Sequence, residues 1–219
     1  MAAAEECREG SFIADVGTDH AYLPVYLIRE GRIRGAVASD INSGPIDRAR
    51  ANIAEAGLSQ RISTVLCDGL SALDKYDPED IFILGMGGEL IAGIIGQADF
   101  LRDGSKRLIL QPMTHAEILR KYLLDSGFRI IKEKLIKEDK IYQIIVAEFA
   151  GVSEEYTYAE LLLGRLNIQQ SHPLLPELAA RTERALSQRI RGKRTAGADT
   201  ALEEKLLFEI GEIERLSAK

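Results

Sequence analysis

The sequence predicts an α/β fold: a Rossmann-like, seven-stranded sheet over residues 1–150, followed by a separate helical domain over residues 151–219. Three observations carry this expectation. Short apolar runs alternate with amphipathic stretches from residue 12 to residue 149, as strands alternate with crossover helices in a largely parallel sheet. The first of these runs leads directly into Gly17 and a helix-patterned segment, a strand-turn-helix of the kind that receives nucleotides. From Gly151 onward no strand pattern remains, and Leu, Glu, Arg and Ala recur at helical spacing.

The first strand rests on Phe12, Ile13, Ala14 and Val16, which suit burial on both faces, and Gly17 permits a tight turn before a helix over about residues 20–30. Asp15, Gly17, Asp19 and Ala21 stand where a dinucleotide fold carries its glycine fingerprint, with an acid in place of the second glycine. A carboxylate there repels a pyrophosphate and attracts an ammonium or sulfonium group, and S-adenosylmethionine carries both. Residues 35–41 read as the second strand, and Ser43, Gly44 and Pro45 start a helix whose Ile46, Ala49 and Ile53 share one face. Asp40 ends that strand where this fold places the acid for ribose hydroxyls, although a carboxylate at a helix N-terminus has the same spacing. The third strand, residues 61–67, ends in Asp68-Gly69, a turn pair that also suits contact with the exocyclic amine of adenine.

Residues 81–84 form the fourth apolar run, which opens onto Gly85-Met86-Gly87-Gly88, read as a bare loop before a helix over residues 89–95. Ligands of open α/β sheets lie outside the carboxyl ends of the strands, so Gly17, Asp40, Asp68 and the Gly85 loop face one crevice. Residues 106–110 make the fifth strand, followed by Gln111, Pro112 and Met113. Thr114 and Glu117 read as a capping box opening a helix that ends near Gly127, with His115 in its first turn. Residues 128–136 and 141–149 read as a hairpin closing the sheet. Seven strands with a terminal antiparallel hairpin match the sheet of an S-adenosylmethionine-dependent methyltransferase.

In the helical domain, Leu175, Leu178, Thr182, Leu186 and Ile190 mark one apolar stripe and Leu202, Leu206, Ile210, Ile213 and Leu216 another. With residues 192–199 between them, they predict two antiparallel helices in a coiled coil, within one chain or between two. Between residues 181 and 194, Arg181, Arg184, Arg189, Arg191, Lys193 and Arg194 stand against a single acid, Glu183. Such a tip suits phosphate contacts, and it also suits a solvated helix face.

Composition narrows the setting. Hydrophobic residues make up 46% of the 219 and charged residues 28%, ordinary values for a globular chain. No apolar run nears the roughly 18 residues of a membrane span, and residues 1–10 are acidic and small rather than basic and apolar, so no membrane association and a cytoplasmic location are expected. Cys7 and Cys67 make neither a disulfide framework nor a metal-ligand set, and no metal is expected. The net charge of -6 disfavours indiscriminate nucleic-acid binding.

Asp15 through Pro24 (Asp15-Val16-Gly17-Thr18-Asp19-His20-Ala21-Tyr22-Leu23-Pro24), Ser39-Asp40-Ile41-Asn42, Asp68-Gly69, Gly85-Met86-Gly87-Gly88 and Gln111-Pro112 together resemble the bacterial TrmK family of tRNA (adenine-N1)-methyltransferases acting on adenine 22. The resemblance spans roughly residues 12 to 216. It implies a class I methyltransferase sheet with a C-terminal coiled coil, S-adenosyl-L-methionine as cofactor, tRNA as partner, and a monomer or weak homodimer. The family carries a longer helical, basic segment before its first strand; residues 1–11 do not resemble it, which leaves open whether Met1 is the authentic start. With the resemblance, the cofactor-binding candidates are Asp15, Gly17, Asp19, Asp40, Ile41, Asn42, Asp68, Gly69, Gly85 and Met86. The substrate-binding candidates are Gly87, Gly88, Gln111 and Pro112 beside the crevice and Arg189, Arg191, Lys193 and Arg194 on the arm.

The implied reaction is attack of the adenine N1 lone pair on a sulfonium methyl. N1 carries no proton at neutral pH, so no general base is required and positioning supplies most of the rate. The product is cationic, which makes Asp19 a candidate catalytic carboxylate. His20 and Tyr22, on the same turn, are candidates to orient or stack on the base, with a core-satisfied His20 as the alternative. N1 lies on the Watson-Crick edge, so the base must be unpaired or flipped out. Amino-group methyltransferases often carry an Asn/Asp-Pro-Pro-aromatic motif after the fourth strand, and the Gly85 loop replaces it here. Two readings compete on the cofactor half alone: a methyltransferase with another acceptor, and a non-catalytic cofactor-binding RNA-interaction module. An NAD-linked dehydrogenase is disfavoured by Asp19.

Overall fold

In the computed structural model, which describes residues 2–217 apart from the side chains of Glu214, Leu216 and Ser217, the apolar runs form one seven-stranded sheet in the order β3-β2-β1-β4-β5-β7-β6. Strands β1 (Ser11–Val16), β2 (Ile33–Asp40), β3 (Ile62–Leu66), β4 (Asp80–Gly87) and β5 (Arg107–Thr114) pair in parallel. β7 (Ile141–Phe149) runs antiparallel to β5 and borders β6 (Phe128–Lys137). Helices α1 (Tyr22–Arg29), α2 (Ser43–Glu55), α3 (Gly88–Gly96) and α4 (Ala116–Asp125) connect the strands. Ile13, Ala14, Val37, Ile81, Phe82, Leu108 and Ile109 are wholly buried, as strands covered on both faces require, and α2 buries its predicted face of Ile46, Ala49 and Ile53. With β2 on one side of β1 and β4 on the other, the strand order reverses at β1, and a crevice opens beyond the carboxyl ends of these strands.

Three local expectations are corrected. Gly85, Met86 and Gly87 are not a loop: β5 extends to Thr114, and β4 pairs with it through register irregularities on either side of Met86. Gln111, Pro112 and Met113 accordingly lie inside β5, where the irregular register accommodates a proline. The Thr114/Glu117 capping box does not form, because Thr114 is still strand; His115, left-handed at φ 52°, is the N-cap of α4 and lies 3.3 Å from Glu117 by its Nδ1. Likewise α1 begins at Tyr22 rather than at residue 20, after Ala21 adopts φ 54°.

The chain folds as two compact units, Met1–Lys132 with Ile144–Glu154, and Glu133–Gln143 with Glu155–Lys219. The outer half of the β6–β7 hairpin thus belongs with the helices, an exchange that a single division after residue 150 does not describe. The second unit contains α5 (Tyr158–Leu163), α6 (Arg165–Gln169), α7 (Leu175–Thr195) and α8 (Ala201–Ser217). Its core joins Leu135 and Ile141 of the hairpin to Leu163, Leu175, Leu178, Leu186, Leu206 and Ile210. α7 and α8 pack antiparallel, with Lys193 and Arg194 beside Glu203 and Glu204. The stripe expected on α8 holds at Leu206, Ile210 and Ile213 and fails at its first position, where Leu202 is 49% exposed and Glu203 turns inward; the Leu216 side chain lies outside the described residues. α7 runs on to Thr195, past the start expected for its connection to α8.

Candidate active site

The β1 turn is built from backbone. The N–H groups of Gly17 and Thr18 donate to the carbonyl of Ser39 at 2.8 and 2.9 Å, and Ala21 N–H donates to Thr18 Oγ1 at 3.0 Å. Gly17 has φ 76°, and a Cβ there would overlap the terminal methyl of Met86, so glycine is required both by conformation and by the thioether lying over the turn. Asp15 is buried at the end of β1; burial pushes its carboxyl up to about 6, opposed by the hydrogen bond from Thr18.

Beyond this turn lies a cavity of about 240 Å³. Gly17, Asp40, Ile41, Asp68, Gly69 and Met86, all cofactor candidates from the sequence, line it. Asp40 Oδ1 accepts the N–H of Asn42 at 2.7 Å, which leaves Oδ2 without a partner among the described residues. Ser39 Oγ, also in the lining, is buried and has no hydrogen bond. Val16, Ser39, Cys67, Leu90 and Ile94 complete the wall and were not assigned from the sequence. Leu90 and Ile94 are one helical turn apart on α3, a spacing that signals a shared face without saying what it faces. Asp15, Asp19, Asn42 and Gly85 do not line the cavity. Unsatisfied acceptors beside apolar walls fit a nucleoside cofactor: Asp40 Oδ2 and Ser39 Oγ for hydroxyls, Ile41, Leu90 and Ile94 for a flat base.

Two residues beyond Gly17, the carboxylate of Asp19 is 62% exposed and shared between two partners. Arg48 Nε donates to Oδ1 at 3.0 Å, and His20 Nε2 is 3.2 Å from Oδ2. Chiefly through its hydrogen bonding, Arg48 holds the Asp19 carboxyl below its ordinary range. The His20 ring stacks on Tyr22, centroids 4.9 Å apart and planes 14° apart, so His20 is not a core residue; Asn52 Nδ2 donates to the His20 carbonyl at 2.7 Å. Across β4, Gly85 N–H donates to Gln111 Oε1 at 3.0 Å, and Gln111 Nε2 reaches the carbonyl of Pro112. A Cβ at Gly87 would lie 3.2 Å from Thr114 Oγ1, whereas one at Gly88 would overlap the His115 carbonyl, so Gly88 has a packing reason of its own.

The arm residues Arg189, Arg191, Lys193 and Arg194 lie in the second unit. Glu183 is the single acid within residues 181–194, but two of the cations there meet acids from α8: Lys193 pairs with Glu203 at 2.7 Å and Arg194 with Glu204 at 2.8 Å. Cys7 is buried with its thiol pushed up to about 11 by desolvation. Among the described residues there is no group of three or more His, Cys, Asp or Glu placed to hold a metal ion, and no helix long and apolar enough to cross a membrane.

The profile of the TrmK family, tRNA (adenine(22)-N(1))-methyltransferase, matches residues 13–210. The chain is 38% identical over 164 residues to the tRNA (adenine(22)-N(1))-methyltransferase of Bacillus subtilis (strain 168), covering 74% of this chain and 69% of that protein. Among solved structures, a Streptococcus agalactiae protein of the NADB-Rossmann superfamily superposes with a TM-score of 0.88 at 30% identity, over 97% of this chain and 94% of that one. A Streptococcus pneumoniae protein solved in complex with S-adenosyl-L-methionine does so with a TM-score of 0.85 at 29% identity, over 97% of this chain and 96% of that one. A match over nearly the whole sheet and both long helices, reinforced by a crevice at the strand-order reversal, means that the chain belongs to the TrmK family of tRNA (adenine(22)-N(1))-methyltransferases.

Proposed function

We infer that this chain methylates N1 of adenine 22 in tRNA with S-adenosyl-L-methionine as methyl donor. The observation that carries the reading is the family match over residues 13–210, and the cavity between Gly17, Asp40 and Asp68 fits the cofactor it calls for. When bound, the cofactor supplies a methyl group made electrophilic by a sulfonium. Asp40 Oδ2 and Ser39 Oγ receive ribose hydroxyls, and Asp68 meets the adenine amine while Ile41, Leu90 and Ile94 flank the ring. The absence of a side chain at Gly17 makes room for the Met86 methyl, which lies over the turn and contributes to the cavity wall.

The target base enters from the side of Asp19, His20 and Tyr22. Tyr22, 67% exposed, offers a ring face for stacking, which holds an extruded purine without reading its Watson-Crick edge. Asp19 places negative charge where the methylated adenine becomes cationic. Gly87, at the end of β4, and Gln111 and Pro112, within β5, border the acceptor, and the α7–α8 arm, acting as a coiled coil, contacts tRNA phosphates. The enzyme works in the cytoplasm as a monomer or weak homodimer.

Incubating unmodified tRNA with the protein and labelled cofactor is expected to place 1-methyladenine at position 22. Asp40→Asn, which keeps the Asn42 contact but removes the charged acceptor, should weaken cofactor binding by about tenfold or more, since a hydrogen bond to a charged group contributes about 1.5–3 kcal/mol. Label at another position, or on protein, would overturn the acceptor assignment; unchanged cofactor affinity in Asp40→Asn would overturn the ribose contact.

A further inference from the structure

We propose that Arg48, on α2, is a positioning residue for methyl transfer, acting through Asp19 to hold the His20–Tyr22 stack in the geometry that receives the target adenine. The proposal rests on the assignment of this turn to the acceptor side of the site.

The geometry is a relay from a rigid helix to an exposed ring. Arg48 donates from Nε to Asp19 Oδ1 at 3.0 Å, the other carboxylate oxygen lies 3.2 Å from His20 Nε2, and the His20 ring stacks on Tyr22 with centroids 4.9 Å apart. Left to itself, a Tyr side chain this exposed samples several rotamers, and a stacking platform that must be ordered on substrate arrival loses rate to that ordering. The backbone of the same turn is clamped twice. Asn52, one helical turn beyond Arg48 on α2, donates to the His20 carbonyl at 2.7 Å, and Thr18 receives the N–H of Ala21 at 3.0 Å. Between the clamps Ala21 holds φ 54°, a left-handed conformation unfavourable for a residue with a Cβ. One face of α2 thus fixes both the side chain of Asp19 and the backbone of His20, while Thr18 fixes the far end. Arg48 is 49% exposed and outside the core, so its removal leaves the sheet and its packing intact.

The test is a double-mutant cycle read by single-turnover methyl transfer to tRNA at saturating cofactor, using the full chain and the variants Arg48→Ala, Asp19→Asn and the pair together. Each single change is expected to slow transfer by about tenfold to a hundredfold, the loss that misplacing reacting groups brings. The double variant should be no slower than the slower single one, cofactor affinity should match wild type throughout, and added guanidinium should restore part of the rate to Arg48→Ala but none to the double variant. Wild-type rate in Arg48→Ala with a slow Asp19→Asn overturns the role of Arg48 and leaves the acceptor assignment standing. Wild-type rate in Asp19→Asn overturns that assignment and the proposal with it. Losses that multiply, or a loss of cofactor affinity in Arg48→Ala, show that Arg48 acts by another route and overturn the relay.

Discussion

Asp15 is the last-but-one residue of β1, buried among strand residues, with the Thr18 hydroxyl as its hydrogen-bond donor and a carboxyl raised from 3.8 to about 6 by desolvation. A carboxyl whose folded value exceeds its unfolded one binds its proton more tightly in the native state. Its contribution to stability is therefore fully present below about pH 4 and is lost as the pH rises to about 6. A rise of that size corresponds to about 3 kcal/mol. Asp15→Asn, which keeps an oxygen for Thr18 and removes the titration, is expected to be more stable than wild type at pH 7 by up to that amount, with the difference shrinking toward pH 4. Urea unfolding of the ligand-free protein across pH 4–8 measures it, and parallel profiles for the two proteins would sink the argument. From the sequence, Asp15 was legible as a residue of the turn but not as a buried one, because an acid inside an apolar run is equally compatible with either face of a strand end. Arg48 and Asn52 were invisible for a related reason: their partners, Asp19 and the His20 carbonyl, lie some thirty positions away along the chain.

At the scale of elements, the sheet was readable wherever apolar runs were unbroken, and became unreadable where glycine and proline interrupt a strand that continues regardless. β4 reaches Gly87 because β5 supplies partners as far as Thr114, and that tertiary pairing overrides the local signals for a loop at Gly85 and Pro112. The same extension leaves Thr114 in a strand and removes the capping box from α4. A true capping box stands instead at Thr157 and Glu160, where nothing competes for the threonine, and both of its hydrogen bonds are made at the start of α5. Gly87 and Gly88, adjacent and alike in sequence, separate in structure. A methyl at Gly88 meets the backbone carbonyl of His115, which cannot rotate away, whereas one at Gly87 meets the Thr114 hydroxyl at 3.2 Å, which can. Gly88→Ala is expected to destabilise the protein by about 1–3 kcal/mol, as overpacking does, and Gly87→Ala by much less. Denaturant midpoints of the two variants give the comparison, and equal losses would mean that the junction of β4 and α3 yields as a whole.

Over the whole molecule, charge is distributed by unit. The residues lining the cavity beyond β1 belong to Met1–Lys132, while the arm belongs to the unit that includes Glu155–Lys219. Reading α7 alone made its C-terminal end look strongly basic; the acids that answer it, Glu203 and Glu204, come from α8 and are brought opposite only by antiparallel packing. The four arm cations therefore divide into two classes. Lys193 and Arg194 are ion-paired, and Glu203, whose side chain is 4% exposed, has Lys193 as its close partner. Arg189 and Arg191 make no close ion pair among the described residues, Arg189 acting on Glu203 only at longer range, so these two are the better candidates to meet phosphate. Replacing Arg189 and Arg191 with Gln should weaken tRNA binding and flatten the slope of log affinity against log salt by about 1.5, just under one for each phosphate no longer neutralised. Replacing Lys193 and Arg194 with Gln should change the slope less while lowering the thermal stability of the α7–α8 pair, because Glu203 loses its hydrogen-bonded cation. Neither pair should alter cofactor affinity. Titration of labelled tRNA between low and moderate salt separates the outcomes: equal slope changes for both pairs would mean that the ion pairs open on RNA binding, and no change for either would mean that α7 and α8 serve packing alone and the RNA is held elsewhere.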